Sequence, residues 1–191
     1  MSKYLPLLFL VACGIDREIS GLSKDNLSTL QEYEQLGIES HVQIGSDNEP
    51  GESLVLCLLF VDLSSKKPLA NQRVHFYHAD NDGEYRPVIP GDETTARLNG
   101  EATTDQNGRI FLRTTLPGDY GSSADNRHIH TTVFKAKPEA YDIHFKQFTG
   151  FMGSRFISGS DQHFLADLKK DASNNLVAFL IIEVKNPNFL P

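Results

Sequence analysis

Cysteine is scarce in this sequence: 191 residues hold two, Cys13 and Cys57. Cys57 lies inside the apolar run Leu54–Val61, where a buried thiol behaves as a small hydrophobe, and no chemistry is assigned to it. Basic residues are the minority, 18 Lys and Arg against 25 Asp and Glu, giving a formal net charge of −7. They are scattered, and an acidic surface repels phosphate backbones, so nucleic acid is set aside as a partner. Tryptophan is absent, and there is no internal repeat or low-complexity segment. With 39% apolar and 23% charged residues, the composition is that of an ordinary globular chain long enough for one domain with a real core.

The N-terminus reads as processing signal rather than fold. Met1–Lys3 is a minimal positive start and Tyr4–Ala12 a short apolar run, too short for a permanent membrane-spanning helix. Leu10-Val11-Ala12-Cys13 resembles the bacterial lipobox, a cleavage site ending in a lipidated cysteine. The expectation is a signal peptide over 1–12 and an exported lipoprotein anchored to the membrane through Cys13, at the outer membrane or cell surface. Gly14 follows, with no aspartate there to signal inner-membrane retention. A lipidated Cys13 leaves Cys57 unpaired, so no disulfide is expected. Residues 13–48 are polar and read as a lipidated tether with a helical turn or two, marked by Leu27, Leu30, Tyr33 and Leu36.

From residue 49 to 191 the pattern is strand and turn. Ser53–Leu63 has the length and composition of a buried strand, and Gln72–His78 alternates around Val74 and Phe76. Asn81-Asp82-Gly83 is a turn, Glu84–Asn99 a long irregular loop, and Asp105–Gly108 a second turn. Arg109–Thr115, His128–Lys135 and Leu176–Val184 read as further strands. No long amphipathic helix competes after residue 50. The predicted fold is an all-β antiparallel β-sandwich whose long irregular loops carry a metal site.

Leu116–His130 concentrates the chemistry. In a strand, His128 and His130 project from one face while Ile129 faces the core, so both imidazoles can converge on one ion. Tyr85 and Tyr120 each follow a turn signal, in loops that can aim a side chain over a sheet edge. A phenol with a pKa of about 10 ligates most divalent ions poorly at neutral pH, but a trivalent ion can deprotonate it. Two phenolates and two imidazoles around Fe(III) leave a net charge of about +1, still electrophilic. An iron site, a zinc site and ordinary sandwich packing are the three readings these residues leave open. His41, His75, His78, His144 and His163 are read as surface or supporting residues, with His78 or His144 placed to orient a ligand.

The stretch from about Gly51 to Gly150 resembles the intradiol ring-cleavage dioxygenases, non-haem Fe(III) enzymes that open catechols between their hydroxyls. Carrying the resemblance are Pro68-Leu69-Ala70, Val74–Asp80, Asp82-Gly83-Glu84-Tyr85, Gly100–Asp105, Gly108-Arg109, Thr114-Thr115, Pro117-Gly118, Tyr120 and His128-Ile129-His130. It implies that Tyr85, Tyr120, His128 and His130 ligate Fe(III), and that a catechol-type substrate and O2 yield a muconate-type diacid. It implies further that Tyr120 is displaced by substrate and acts as a base, and that Gln147 lies near the substrate. The family has an arginine three positions before the first histidine; here that position is Asp125, and the arginine is Arg127, beside His128. Arg127 is retained as the expected catalytic cation, although strand alternation aims it at the other face; a bulge in the Gly121–Asn126 loop, a substitute cation such as Arg86, or an altered activity would reconcile the two. Tyr77 stands where the family has tryptophan. Glu84–Leu98 and Phe148–Asp161 are the expected specificity loops, and the oligomeric state is left open. The competing readings are a non-catalytic cell-surface binding module that keeps the dioxygenase-like shell, and a zinc hydrolase built on the histidine pair. The second lacks a convincing carboxylate nearby in the sequence.

Overall fold

In the computed structural model, which describes residues 18–121, 125–149 and 159–187, ten strands form two five-stranded sheets. The first sheet contains β1 (His41–Gln43), β2 (Ser53–Asp62), β5 (Arg109–Thr115), β9 (Lys169–Lys170) and β10 (Leu176–Val184), in the order β1-β5-β2-β10-β9. The second contains β3 (Arg73–His78), β4 (Leu98–Thr103), β6 (His128–Val133), β7 (Ala140–Phe145) and β8 (His163–Ala166), in the order β4-β3-β6-β7-β8. Leu54, Leu56, Leu58 and Phe60 of the first sheet meet Val74, Phe76, Ile129 and Ile143 of the second, all fully buried. Each such side chain contributes roughly 1.5–3 kcal/mol through burial, which makes this layer the main source of stability.

The expected sandwich is present, and its pairing is mixed rather than wholly antiparallel. β1 runs parallel to β5, β10 to β2, and β8 to β7. A parallel pair needs a long connection, and each of these has one; the chain between β2 and β10 builds the whole second sheet.

The tether expected over 13–48 is corrected from Lys24 onward. Lys24–Glu34 is an eleven-residue helix, α1, whose first turn is capped by Ser23 accepting from the Asn26 N–H at 3.1 Å. Its Leu30 and Tyr33 are buried against Val55, Cys57, Phe111 and Val177 on the outer face of the first sheet. β2 is apolar on both sides because the core takes one face and α1 the other. Removing α1 would expose that second face, so the helix is part of the folded body. The expected signal peptide over 1–12 and the expected lipidation site Cys13 lie outside the described residues, as does most of the expected specificity loop Phe148–Asp161. Among the described residues, no helix is long and apolar enough to cross a membrane.

Candidate metal centre

Strand register builds one wall of the site. Tyr77 on β3 is paired with His130 on β6, His130 with Asp142 on β7, and Asp142 with His163 on β8. These four residues form a row across the outer face of the second sheet. One row along, His128 is paired with His144. Between the rows Ile129, paired with Ile143, points into the core, as alternation requires. His128 and His130 therefore converge, with their Nε2 atoms 3.1 Å apart. The Tyr85 hydroxyl reaches His130 Nε2 at 2.9 Å.

Two interlocked turns bring the tyrosines over this face. Asp80 organises the first turn: its carboxylate accepts from the Asp82 and Glu84 N–H groups and from Arg86 Nε. Gly118 N–H donates to the Asp80 carbonyl at 2.8 Å, tying the second turn to the first. A Cβ at Gly83, where φ is +85°, would collide with the Asp119 carbonyl oxygen, and one at Gly118 with the Asn81 carbonyl. Both glycines are therefore needed for the loops to meet. Beyond the turns the tyrosines part company. Tyr85 is buried with Ala79 and Ala96, beside Tyr77. Tyr120 stays 38% exposed, with its ring edge-on to Tyr85 at 5.2 Å. Its hydroxyl donates to Glu93 Oε1 at 3.1 Å.

Hydrogen bonding sets the protonation of the imidazoles. His130 Nδ1–H donates to Asp142 Oδ1 at 2.7 Å, and the Asn126 carbonyl accepts from His128 Nδ1–H at 3.3 Å. Both Nε2 atoms then carry lone pairs, facing each other across a gap that one phenol proton cannot fill. Two such lone pairs at contact distance repel unless a cation sits against them. Burial pushes His128 below the ordinary imidazole range, with the neighbouring His130 adding to it, so a neutral ligand form is favoured. Burial raises the Tyr85 phenol, and the hydrogen bond to Glu93 raises Tyr120; neither ionises at neutral pH unaided. Burial also pushes the Asp142 carboxyl up, but the His130 hydrogen bond and the surrounding histidines outweigh it and hold it low. A donor set of two neutral imidazoles and phenols that need a strong Lewis acid to ionise fits Fe(III) better than Zn(II).

The other expected site residues lie elsewhere. Arg127, just before β6, stacks over the Phe148 ring at 4.3 Å and pairs with Asp119 at 3.4 Å. The substitute, Arg86, is committed to Asp80 at 2.7 Å. Gln147 Nε2 donates to Asp167 Oδ1, and its Oε1 accepts from the Leu168 N–H, which clasps the approach to β9. His78, fully buried, bonds the Ala79 carbonyl and Thr114 rather than any ligand. His144 does stack on His128, with ring centroids 5.3 Å apart.

Sequence reasoning missed Asp142, His163, Glu93 and the stacking of Tyr77 on His130 at 4.6 Å. A signal for two of the participants was present. In Tyr141-Asp142-Ile143-His144-Phe145 apolar residues alternate with an acid and an imidazole, the same pattern as His128-Ile129-His130.

A family model described as Dioxygenase matches residues 33–190. Over 78 residues the chain is 36% identical to catechol 1,2-dioxygenase of Acinetobacter baylyi, a stretch covering 40% of this chain and 24% of that protein. The match thus spans about a quarter of the relative's length. In fold, the chain is similar to the dioxygenase domain of a dioxygenase carbohydrate-binding protein fusion from Streptomyces sp. SirexAA-E. The TM-score is 0.55 at 20% identity, covering 78% of this chain and 92% of that one. The 3-chlorocatechol 1,2-dioxygenase of Rhodococcus opacus 1CP gives the same score and identity, covering 79% of this chain and 66% of that one. At such identity these two likenesses bear on the fold alone.

Proposed function

The chain belongs to the intradiol ring-cleavage dioxygenase family, and on that premise we propose that it cleaves a catechol-type aromatic with O2, using Fe(III) held by Tyr85, Tyr120, His128 and His130. The observation that carries the reading is the convergence of His128 Nε2, His130 Nε2 and the Tyr85 hydroxyl, each within 3.1 Å of its neighbour. Ferric iron bound there supplies Lewis acidity toward a catecholate and draws electron density so that the ring becomes open to O2.

The chain's own residues do the rest. Asp142 holds the His130 ring by its Nδ1–H and keeps Nε2 a lone-pair donor. Tyr85, packed in its own small cluster, stays fixed. Tyr120 is the residue that can move, and as a phenolate it takes a proton from the entering catechol. The resulting neutral phenol needs an acceptor, and Glu93 Oε1 lies 3.1 Å from the hydroxyl. An open cleft of about 480 Å3 has Tyr85, Pro87, Asp92 and Glu93 in its wall. Both atoms of O2 enter the product, a ring-opened diacid, so no external reductant is needed.

A binding module without turnover is the competing reading, supported by the engagement of Arg127 with Phe148 and Asp119 and of Arg86 with Asp80. O2 uptake by the iron-loaded chain across a panel of catechols, with the product examined for a ring-opened diacid, separates the two. Uptake matched by diacid supports the enzyme; substrate binding with no uptake on any catechol overturns it. Lipid anchoring through Cys13 is proposed from the Leu10–Cys13 pattern alone. A Cys13→Ala variant that remains membrane-bound overturns that.

A further inference from the structure

Immediately behind His130 lies a second group of metal-ligating side chains. Asp142, His144 and His163 each offer one ligand atom, and these atoms lie within 4.8 Å of one another. We propose that they form a second metal site, for a divalent transition ion of the Zn(II) type, distinct from the Tyr85, His128 and His130 centre.

Four observations carry this. The first is spacing: Asp142 Oδ2 and His163 Nε2 are 3.5 Å apart. Neighbouring ligand atoms on a tetrahedral ion with bonds of 2.0–2.2 Å stand about 3.4 Å apart. The second is a buried atom without a partner. His144 is 5% exposed, and its Nε2 finds no hydrogen bond. Leaving such an atom bare is costly, and a bound ion is one of the few physical explanations. The third is the division of Asp142. Its Oδ1 accepts from His130 Nδ1–H while Oδ2 faces His163, so one carboxylate serves two neighbouring centres through different oxygens.

The fourth is the scaffold. Asp142 and His144 are two apart on β7 and share a face, and β8 places His163 opposite Asp142 in register. Ligands fixed on paired strands are held more closely than ligands on loops. Two imidazoles and one carboxylate, with a fourth position open to water, is a donor set that suits Zn(II). Asp142 and His163 side chains are 26% and 21% exposed, which gives the ion access. Bound there, it would clamp β8 to β7 and, through Asp142, hold the ring of His130. The site shares Asp142 with the neighbouring centre, through the oxygen that His130 does not use, and draws its other two ligands from His144 and His163.

The test is zinc binding by the full chain after loading with ferric iron. The protein is dialysed against micromolar zinc chloride at neutral pH, and both metals are counted by mass spectrometry. The expected result is one zinc per chain beside the iron. His163→Ala, at a partly exposed position, should weaken zinc binding at least about tenfold while leaving iron content unchanged. His144→Gln, checked for folding by circular dichroism, should weaken zinc binding likewise, and because His144 stacks on His128 only its zinc count is read. No zinc beside the iron, or equal zinc uptake by wild type and both variants, overturns the proposal. If the chain takes no iron, the same titration on His128→Ala removes the competing centre. One zinc retained there and lost on adding His163→Ala supports the second site, and no difference between the two overturns it.

Discussion

Tyr85 and Tyr120 follow matching turn signals, Asp82-Gly83-Glu84 and Pro117-Gly118-Asp119, yet one is 6% exposed and the other 38%. The turns themselves are interlocked, so the difference arises after them. Tyr85 enters a small apolar cluster with Ala79 and Ala96, and its carbonyl accepts from Arg97 N–H at 2.9 Å. Tyr120 is followed by Gly121, at a φ of +70°, and its hydroxyl reaches outward to Glu93. One phenol is built into the structure; the other rests on its edge. The proposed ferric site, which would keep its ion while exchanging one ligand for substrate, calls for that asymmetry.

The sharpest way to break the comparison is Tyr85→Phe. Losing an outer partner of a ligand already costs about 10–100-fold in metal affinity, so losing the fixed ligand itself should lower iron affinity by more than about 100-fold. Iron content and O2 uptake should fall together. A Tyr85→Phe protein that retains both would remove Tyr85 from the ligand set.

Acid should loosen the root of the Tyr85 loop. His78 closes β3 just before Asp80, and burial pushes its pKa down to about 4. Its neutral ring, bonded to the Ala79 carbonyl and Thr114, contributes fully above about pH 6.5, the unfolded value. Between 6.5 and about 4 the unfolded chain binds the extra proton, so stability is lost as pH falls. The loss is on the order of 3 kcal/mol. Denaturant unfolding across that range checks it, and a His78→Gln variant with the same pH profile as wild type would contradict it.

Tyr120→Phe should separate the two tyrosines. Iron should stay bound while kcat falls about 100-fold, the usual scale for removing a general base. If iron is lost as completely as in Tyr85→Phe, Tyr120 is an anchor rather than a movable ligand. The smallest effect belongs to Arg127→Ala. Its guanidinium serves Phe148 and Asp119, so stability should fall by about 1 kcal/mol and kcat/KM by less than about threefold. A loss of about 100-fold would restore Arg127 to the catalytic role that its position in the sequence suggested.

Local pattern carried much of this molecule. Leu176–Val184 is legible to both ends because an apolar run broken only by Glu183 marks it, and His128-Ile129-His130 is legible because alternation ties a polar pair to a core residue. The expected loop Glu84–Asn99 takes in the first two residues of β4 and the pattern assigns no strand to the rest, since Asn99, Gly100 and Glu101 have weak strand preference and are held by pairing with β3. α1 looked like a spacer because its apolar residues are few; only the sheet it covers shows that Leu30 and Tyr33 are core. Asp142 and His163 were invisible as site residues for a different reason. They reach His130 through register across three strands, and no spacing within one segment reports that. Position along the chain is what places Gln147 and Arg127 in the sequence, whereas hydrogen bonds, an ion pair and a ring contact decide where each side chain goes.

The visible absorption spectrum of the purified, iron-reconstituted chain tests the central claim most directly. Fe(III) on Tyr85 and Tyr120 requires a phenolate-to-iron charge-transfer band, so the protein should be red-brown and its band should shift when catechol is added. Tyr120→Phe should retain a weakened colour and Tyr85→Phe should lose it. A folded chain that stays colourless after iron reconstitution, with or without catechol, contradicts the ferric site.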